Sequence, residues 1–207
     1  EALPSIASVS KLTLVTSTGS GVGTKIILED EEEIVSDASL RKGTIVTVEE
    51  LFYNTPARLK YLKTDYTENA ASVEIMSRLA LAHPDIAFTF SIDDRIQFST
   101  TGRGELLEVI MQIYGLGVAS KMIDFHLNHH DFSISGYLGK AELAKSNRYY
   151  IITLLNGRNV YMPKVQAAII DAYNDFIPLT RYPFVILNLS IDPSLVDVNV
   201  HPSKREV

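Results

Sequence analysis

The 207-residue sequence contains no cysteine, which removes disulfides, zinc-thiolate centres and thiol nucleophiles together and fits a reducing compartment. No stretch approaches 18 uninterrupted apolar residues and no signal peptide is visible, so a membrane span is not expected. Positive charge is in deficit: 19 Lys and Arg against 25 Asp and Glu leave a net charge of −6. Any nucleic-acid binding is therefore expected from a local basic patch, not from a surface that is basic overall. Internal repeats are absent, as are helix-turn-helix, zinc-finger and aromatic RNA-binding signatures, and the first residue is not an initiator methionine. What the chain does have is 46% apolar residues, enough for the core of one large or two small domains.

Ser8 to Thr16 alternates Val9, Leu12 and Leu14 with polar partners and reads as a strand, and Thr24 to Leu28 reads as a second. Between them, Gly19, Gly21 and Gly23 suit either a hairpin turn or a phosphate cradle. A cradle needs a helix N-terminus directly after the loop, and a strand follows instead, which favours the hairpin. Glu29 to Glu33 is a block of five acidic residues, expected as a solvated loop or strand tip; a metal site is disfavoured because adjacent carboxylates on a strand point to opposite faces. Asp65 to Ala82 carries Ala70, Val73, Met76, Ala80 and Leu81 at helical spacing, with Thr64 or Asp65 as N-cap and His83-Pro84 as the stop. Two short strands, 86–92 and 97–99, then meet at Asp93-Asp94.

Composition shifts at Thr100 to Gly104, read as an interdomain linker that divides the chain into domains 1–101 and 102–207. Beyond it, Glu105 to Tyr114 places Leu106, Leu107, Ile110 and Ile113 on one helical face until Gly115 and Gly117 stop it. Met122 to Asn128 and Phe132 to Lys140 are strands around a His129-His130-Asp131 turn. His126, His129 and His130 invite a metal reading, yet hairpin tips are commonly polar and no metal is expected. Arg148 to Leu155 is an apolar strand, Pro163 opens a helix to about Phe176, and Val185 to Ile191 is the last long strand, followed by a short alternating piece from Val196 to Val200. The order of elements is a two-domain α+β arrangement.

Gly43 to Lys63, GTIVTVEELFYNTPARLKYLK, says most about function. Ile45, Val46, Val48 and Leu51 mix with polar residues as in a strand with one strongly buried face, and Phe52 to Pro56 reads as a loop. Arg58, Lys60 and Lys63 then form a basic cluster on an acidic chain. This block resembles the fourth sequence block of the MutL family of DNA mismatch-repair ATPases. DVNVHPSKREV, Asp197 to Val207, resembles the signature at the end of that family's second domain, and Glu1-Ala2-Leu3 resembles the tail of its GFRGEAL motif. The blocks occur in family order, and a chain that opens inside a motif is expected to be a fragment.

The resemblance implies the C-terminal part of a GHKL α/β sandwich followed by a ribosomal-protein-like transducer domain. It implies ATP and Mg²⁺ as cofactors of the intact protein. Lys204 would reach from the second domain to the γ-phosphate, where a compact ammonium opposes developing negative charge; by spacing alone it is an ordinary surface lysine. Thr44 would hold the adenine end of ATP, Glu1 and Ala2 would close the ATP lid, and Asn199 would position the lysine loop. The family's catalytic glutamate, its Mg²⁺-binding asparagine and its adenine-binding DNG motif have no counterpart in these residues. The fragment alone is accordingly expected neither to bind nor to hydrolyse ATP.

The intact protein would be a matchmaker that dimerises on binding ATP and passes a signal from a MutS-type mismatch-recognition protein to a downstream endonuclease and helicase. Its expected location is cytoplasmic, in a bacterium, associated with the nucleoid. Arg158, Lys164 and Arg181, with Arg58 and Lys60, are candidates for non-specific, salt-sensitive DNA contacts; scattered solvated charges are an equally open reading. Two competitors remain: the ATPase and transducer region of a type II topoisomerase, and a non-catalytic DNA-binding module.

Overall fold

The computed structural model describes residues 2–30, 32–39 and 41–195. Two compact units, Glu1–Glu68 and Asn69–Val207, each form around a sheet of their own. The first runs through a short helix α1 (Ala2–Ala7), strands β1 (Lys11–Ser17), β2 (Gly23–Glu29), β3 (Glu32–Ala38) and β4 (Gly43–Glu49), and a single turn of helix α2 (Pro56–Leu59). Its strands pair antiparallel in the order β3-β2-β1-β4. Gly19 and Gly21 turn β1 into β2 with φ of 85° and 83°, values that suit glycine, so the glycine-rich stretch is a hairpin turn.

The acidic block is a strand tip: Leu28 pairs with Glu33 and Glu29 with Glu32. Strand β3 itself was hidden in the sequence by the charges at its start. A second correction concerns Phe52 to Pro56, read as loop throughout, where Pro56 in fact opens α2, a position at which its missing N–H has no partner to lose.

The largest departure lies in β4. Its alternation implies one strongly buried face, but every residue of the strand is exposed, with Ile45 at 51% and Val46 at 44%. Alternation decides which side chains share a face, whereas burial needs a second layer over that face. Among the described residues none supplies it, and Leu12 is the one buried hydrophobic residue in the first unit.

The second unit is built differently. Helix α3 (Asp65–Ala82) begins just before it, with the bounds its spacing implies, and leads to strands β5 (Thr89–Ile92) and β6 (Arg95–Ser99), then helices α4 (Leu106–Tyr114) and α5 (Leu116–Ala119). Strands β7 (Met122–Asn128), β8 (Phe132–Gly139), β9 (Ile151–Leu155) and β10 (Arg158–Asn159), helix α6 (Pro163–Ala172) and strand β11 (Val185–Ile191) complete it. Helix α5 restarts where Gly115 was expected to end helical structure, and α6 stops at Ala172, short of Phe176. Strand β9 is three residues shorter than its apolar run because Arg148–Tyr150 forms a 3-10 turn, capped by the Asn147 side chain accepting from the Tyr149 N–H.

The five strands lie in the order β10-β9-β11-β8-β7, with β9 and β11 parallel and the other neighbours antiparallel. A parallel pair needs a crossover connection, and β10 with α6 provides it. All five residues of β9 are buried. Ile152 and Leu154 join Phe184 and Ile186 in a core with Ala80 and Leu81 of α3 and Val109 and Ile110 of α4. Leu155 instead packs with Val160, Met162 and Val165, the last from α6. Cover on both faces explains why β9 reads as a continuous apolar run with no alternation. Thr100 is buried here, its Oγ1 accepting from the Phe88 N–H at 3.0 Å, and the Gly104 N–H donates to the Pro84 carbonyl at 2.9 Å. The composition shift at 100–104 thus lies within the second unit, and the compact units divide between residues 68 and 69.

Two outcomes follow for the second unit's stability. Gly136 has φ 149° and faces β11 so closely that a Cβ would stand 2.0 Å from the Ile186 carbonyl oxygen. Gly136→Ala should therefore cost about 3 kcal/mol or more in urea unfolding. Burial against Phe184 and Tyr150 pushes the Tyr114 phenol up to about 12. The neutral phenol is favoured in the folded state, so its contribution is complete below the unfolded pKa near 10 and is lost as pH rises toward 12. That loss amounts to up to about 3 kcal/mol, and Tyr114→Phe should remove it from the alkaline limb of a stability–pH curve.

Candidate functional site

Strand β4 holds Thr44 opposite Thr16 of β1, and their hydroxyl oxygens are 2.8 Å apart on the exposed surface. One of the two donates, so Thr44 keeps further capacity to accept or donate, which is the property a purine edge requires. Ala2 is exposed at the start of α1. Glu1, Asn199 and Lys204 lie outside the described residues, as does the expected strand from Val196 to Val200. Arg58 stands in the last turn of α2 with its guanidinium 6.0 Å from the Phe52 ring centre, and Lys60 is exposed just beyond.

In the second unit Arg158, Lys164 and Arg181 are all exposed. Only Arg158 among them lines the principal cleft, a space of about 890 Å³ between α3 and the β9–β10 hairpin. Sequence reasoning missed its companions there, Arg78 and Arg148, and the flanking His83. Three guanidinium groups face a single lining carboxylate, Glu74, which makes the cleft cationic on a net-acidic chain.

The cleft has an organised wall. Arg78 donates from Nε to Glu74 Oε1 at 2.9 Å, from one terminal nitrogen to Asn159 Oδ1 at 3.4 Å and from the other to the Tyr149 carbonyl at 3.1 Å. Its guanidinium also lies 5.5 Å from the Tyr149 ring centre. The Tyr149 hydroxyl donates to Glu74 Oε2, and that bond holds the phenol above its ordinary pKa. An i,i+4 ion pair contributes only about 0.3–0.5 kcal/mol, so the weight of this arrangement lies in what the guanidinium reaches beyond Glu74. The i,i+4 spacing of Glu74 and Arg78 was readable in the sequence; the partners beyond it were not. Lys164 sits instead at a separate apolar pocket of about 390 Å³ beside Met162 and Ile191.

Metal-donor chemistry gathers, among the described residues, at the β7–β8 turn. Donor atoms of His129, His130 and Asp131 lie within 4.8 Å of one another, with His130 Nε2 at 2.8 Å from Asp131 Oδ2. All three are exposed. His126, on β7, is not in this group.

A family model described as DNA mismatch repair protein, C-terminal domain, matches residues 110–207. Over its entire length the chain is 48% identical to the DNA mismatch repair protein MutL of Anoxybacillus flavithermus. The chain belongs to the MutL family. It spans about a third of that relative, 34% of its length. The fold agrees: the Aquifex aeolicus MutL ATPase domain complexed with ADP superposes with a TM-score of 0.74 at 22% identity, covering 93% of this chain and 72% of that one. The B-subunit of DNA gyrase from Myxococcus xanthus matches more loosely, with a TM-score of 0.52 at 14% identity over 98% of this chain and 62% of that one. The architecture is thus the GHKL-type α+β fold that MutL and gyrase B share, and sequence identity separates the two families. No helix among the described residues is long and apolar enough to cross a membrane.

Proposed function

We propose that the chain is the nucleotide-responsive and DNA-contacting part of an ATP-driven mismatch-repair protein. The observation that carries this reading is the 48% identity to a MutL protein across every part of the chain. In family terms residues 1–101 would be the end of the ATPase domain and 102–207 the transducer domain, a division that differs from the compact units, whose boundary lies between residues 68 and 69. The bare apolar side chains of β4 support the first assignment, because Val46 and Val48, exposed on one face of the strand, are suited to a covering layer that the rest of an ATPase module would supply.

In the intact protein ATP, with Mg²⁺, supplies the binding energy and the phosphoryl group, and the residues here shape its surroundings. The Thr44 hydroxyl, already paired with Thr16, orients the adenine end by accepting or donating one hydrogen bond. Ala2, with Glu1, closes over the phosphates. Lys204 would present an ammonium to the terminal phosphate, with Asn199 helping to position it. Nucleotide state then governs self-dimerisation and signalling from a MutS-type protein to an endonuclease and helicase. A nucleoid location in a bacterial cytoplasm accords with those partners.

DNA contacts come from exposed cations: Arg158, Lys164 and Arg181 in the second unit, Arg58 and Lys60 in the first. The cationic cleft around Arg158 favours this over scattered solvated charge, because clustered cations gain more from a phosphate backbone than isolated ones. The second reading, a DNA-binding module indifferent to nucleotide, differs in a measurable way: its affinity for DNA would not change on adding a non-hydrolysable ATP analogue.

In the intact protein, Lys204→Ala should lower ATP turnover about a hundredfold, and Thr44→Val should weaken nucleotide binding about tenfold by leaving one polar edge unpaired; turnover at the parental rate in Lys204→Ala would remove the proposed coupling. Arg158→Ala should weaken binding to unrelated DNA sequences alike and reduce the slope of log affinity against log salt by about 1. An unchanged slope would strike Arg158 from the interface.

A further inference from the structure

Strand β10 consists of two residues at the edge of the second sheet, Arg158 paired with Leu155 and Asn159 with Leu154. Such a ladder is short, and the turn before it depends on further ties. On one side the Asn156 N–H donates to the Leu189 carbonyl at 2.9 Å and the Gly157 N–H to Asn188 Oδ1 at 3.2 Å, which fastens the turn to β11. On the other side the tie is Arg78, whose guanidinium reaches Asn159 Oδ1 and the Tyr149 carbonyl. Arg158 is the residue between these two anchorages. It is exposed and forms no ion pair among the described residues, whereas Arg78 pairs with Glu74 and bonds two further acceptors within the protein.

We propose that Arg78 is a positioning residue: by bridging Glu74 on α3 to Asn159 and the Tyr149 carbonyl, it fixes the spacing between helix and hairpin at which Arg158 meets a phosphate backbone. The inference rests on the DNA-binding reading of Arg158 given above. Arg78 suits the task because a planar guanidinium reaches three acceptors in fixed directions, and an ammonium in its place cannot. Glu74 takes part by accepting from both Arg78 and the Tyr149 hydroxyl. The same guanidinium also lies over the Tyr149 ring, 5.5 Å from its centre.

This assignment opposes simple electrostatics. If Glu74 acted only as a negative charge beside the cleft, removing it would tighten DNA binding. If it holds Arg78 in place, removing it loosens the hairpin and weakens binding. The test measures affinity of the intact protein for a fluorescent oligonucleotide across a salt series, for Glu74→Gln, Arg78→Lys, Arg158→Ala and the double variant Glu74→Gln/Arg158→Ala. Expected are losses of about three- to tenfold for Glu74→Gln and Arg78→Lys, although one removes a negative charge and the other keeps the positive one. The double variant should bind no more weakly than Arg158→Ala alone, since coupled residues are not additive.

Glu74→Gln binding as tightly as the parent protein or more so, alongside a weakened Arg158→Ala, overturns the positioning role and leaves the DNA reading standing. Losses that multiply in the double variant overturn it equally. An Arg158→Ala variant with parental affinity overturns the DNA reading, and the positioning role with it. If Arg78→Lys fails to fold, as its thermal unfolding would reveal, Glu74→Gln carries the comparison, because it preserves shape and volume while removing the charge and turning one of the two acceptor oxygens into an NH2 donor.

Discussion

The second unit depends on one constraint: β9 has to be covered on both faces. Its five residues, Ile151 to Leu155, are buried without exception, and neither α3 with α4 nor α6 could cover it alone. A strand of this kind fixes much else. It demands a parallel neighbour, β11, buried for the same reason at Val185 to Leu187. It also demands a crossover to reach that neighbour, and a helix to seal the side that the crossover passes. The β10 hairpin, where Arg158 sits, is the first segment of that crossover. The placing of the cationic cleft is therefore a by-product of burying an apolar strand.

The first unit shows what happens when the same kind of sequence lacks a second layer. Thr44 to Val48, Thr-Ile-Val-Thr-Val, is richer in β-branched residues than β9, Ile-Ile-Thr-Leu-Leu, and it forms an equally regular strand. Hydrogen bonding to β1 and intrinsic preference suffice for the strand itself. They do not bury it, and at about 1.5–3 kcal/mol for each large aliphatic side chain left in water, the deficit is substantial. The open sheet and the Thr16–Thr44 hydroxyl pair belong together: a polar ladder at one end of an apolar surface suits a face that meets both protein and ligand.

Legibility in the sequence followed the range of the interactions. Helix α3 was readable to the residue because its signals, a capping threonine, apolar spacing and a terminal His83-Pro84, are all local. Short elements such as α2 and α5 were not, since one turn of helix leaves almost no periodic trace. Strand β3 hid behind its acidic start. The roles proposed for Lys204 and Thr44 come only from resemblance to the MutL family, because nothing in the surrounding sequence distinguishes either from an ordinary surface residue. The cleft was illegible by either route. Arg78, Arg148 and Arg158 are separated by up to eighty positions, and only the packing of α3 against the sheet gives them a common wall.

That wall is what the proposed phosphate-backbone contact rests on in a chain of net charge −6. Long-range attraction is weak for such a protein, and at physiological salt charges beyond about 8 Å are screened in any case. What remains is the short-range term, which depends on how many cations converge and how firmly they are held. Arginines in this cleft divide the two duties. Arg78 gives three of its five N–H donors to Glu74, Asn159 and Tyr149 and is thereby held in place. Arg158 forms no ion pair among the described residues, and it stands on the hairpin that Arg78 contacts through Asn159. A single free guanidinium in a fixed place loses less conformational entropy on meeting phosphate than two mobile ones would. On the proposed reading, committing one arginine to structure would leave an acidic protein a usable cation in the other.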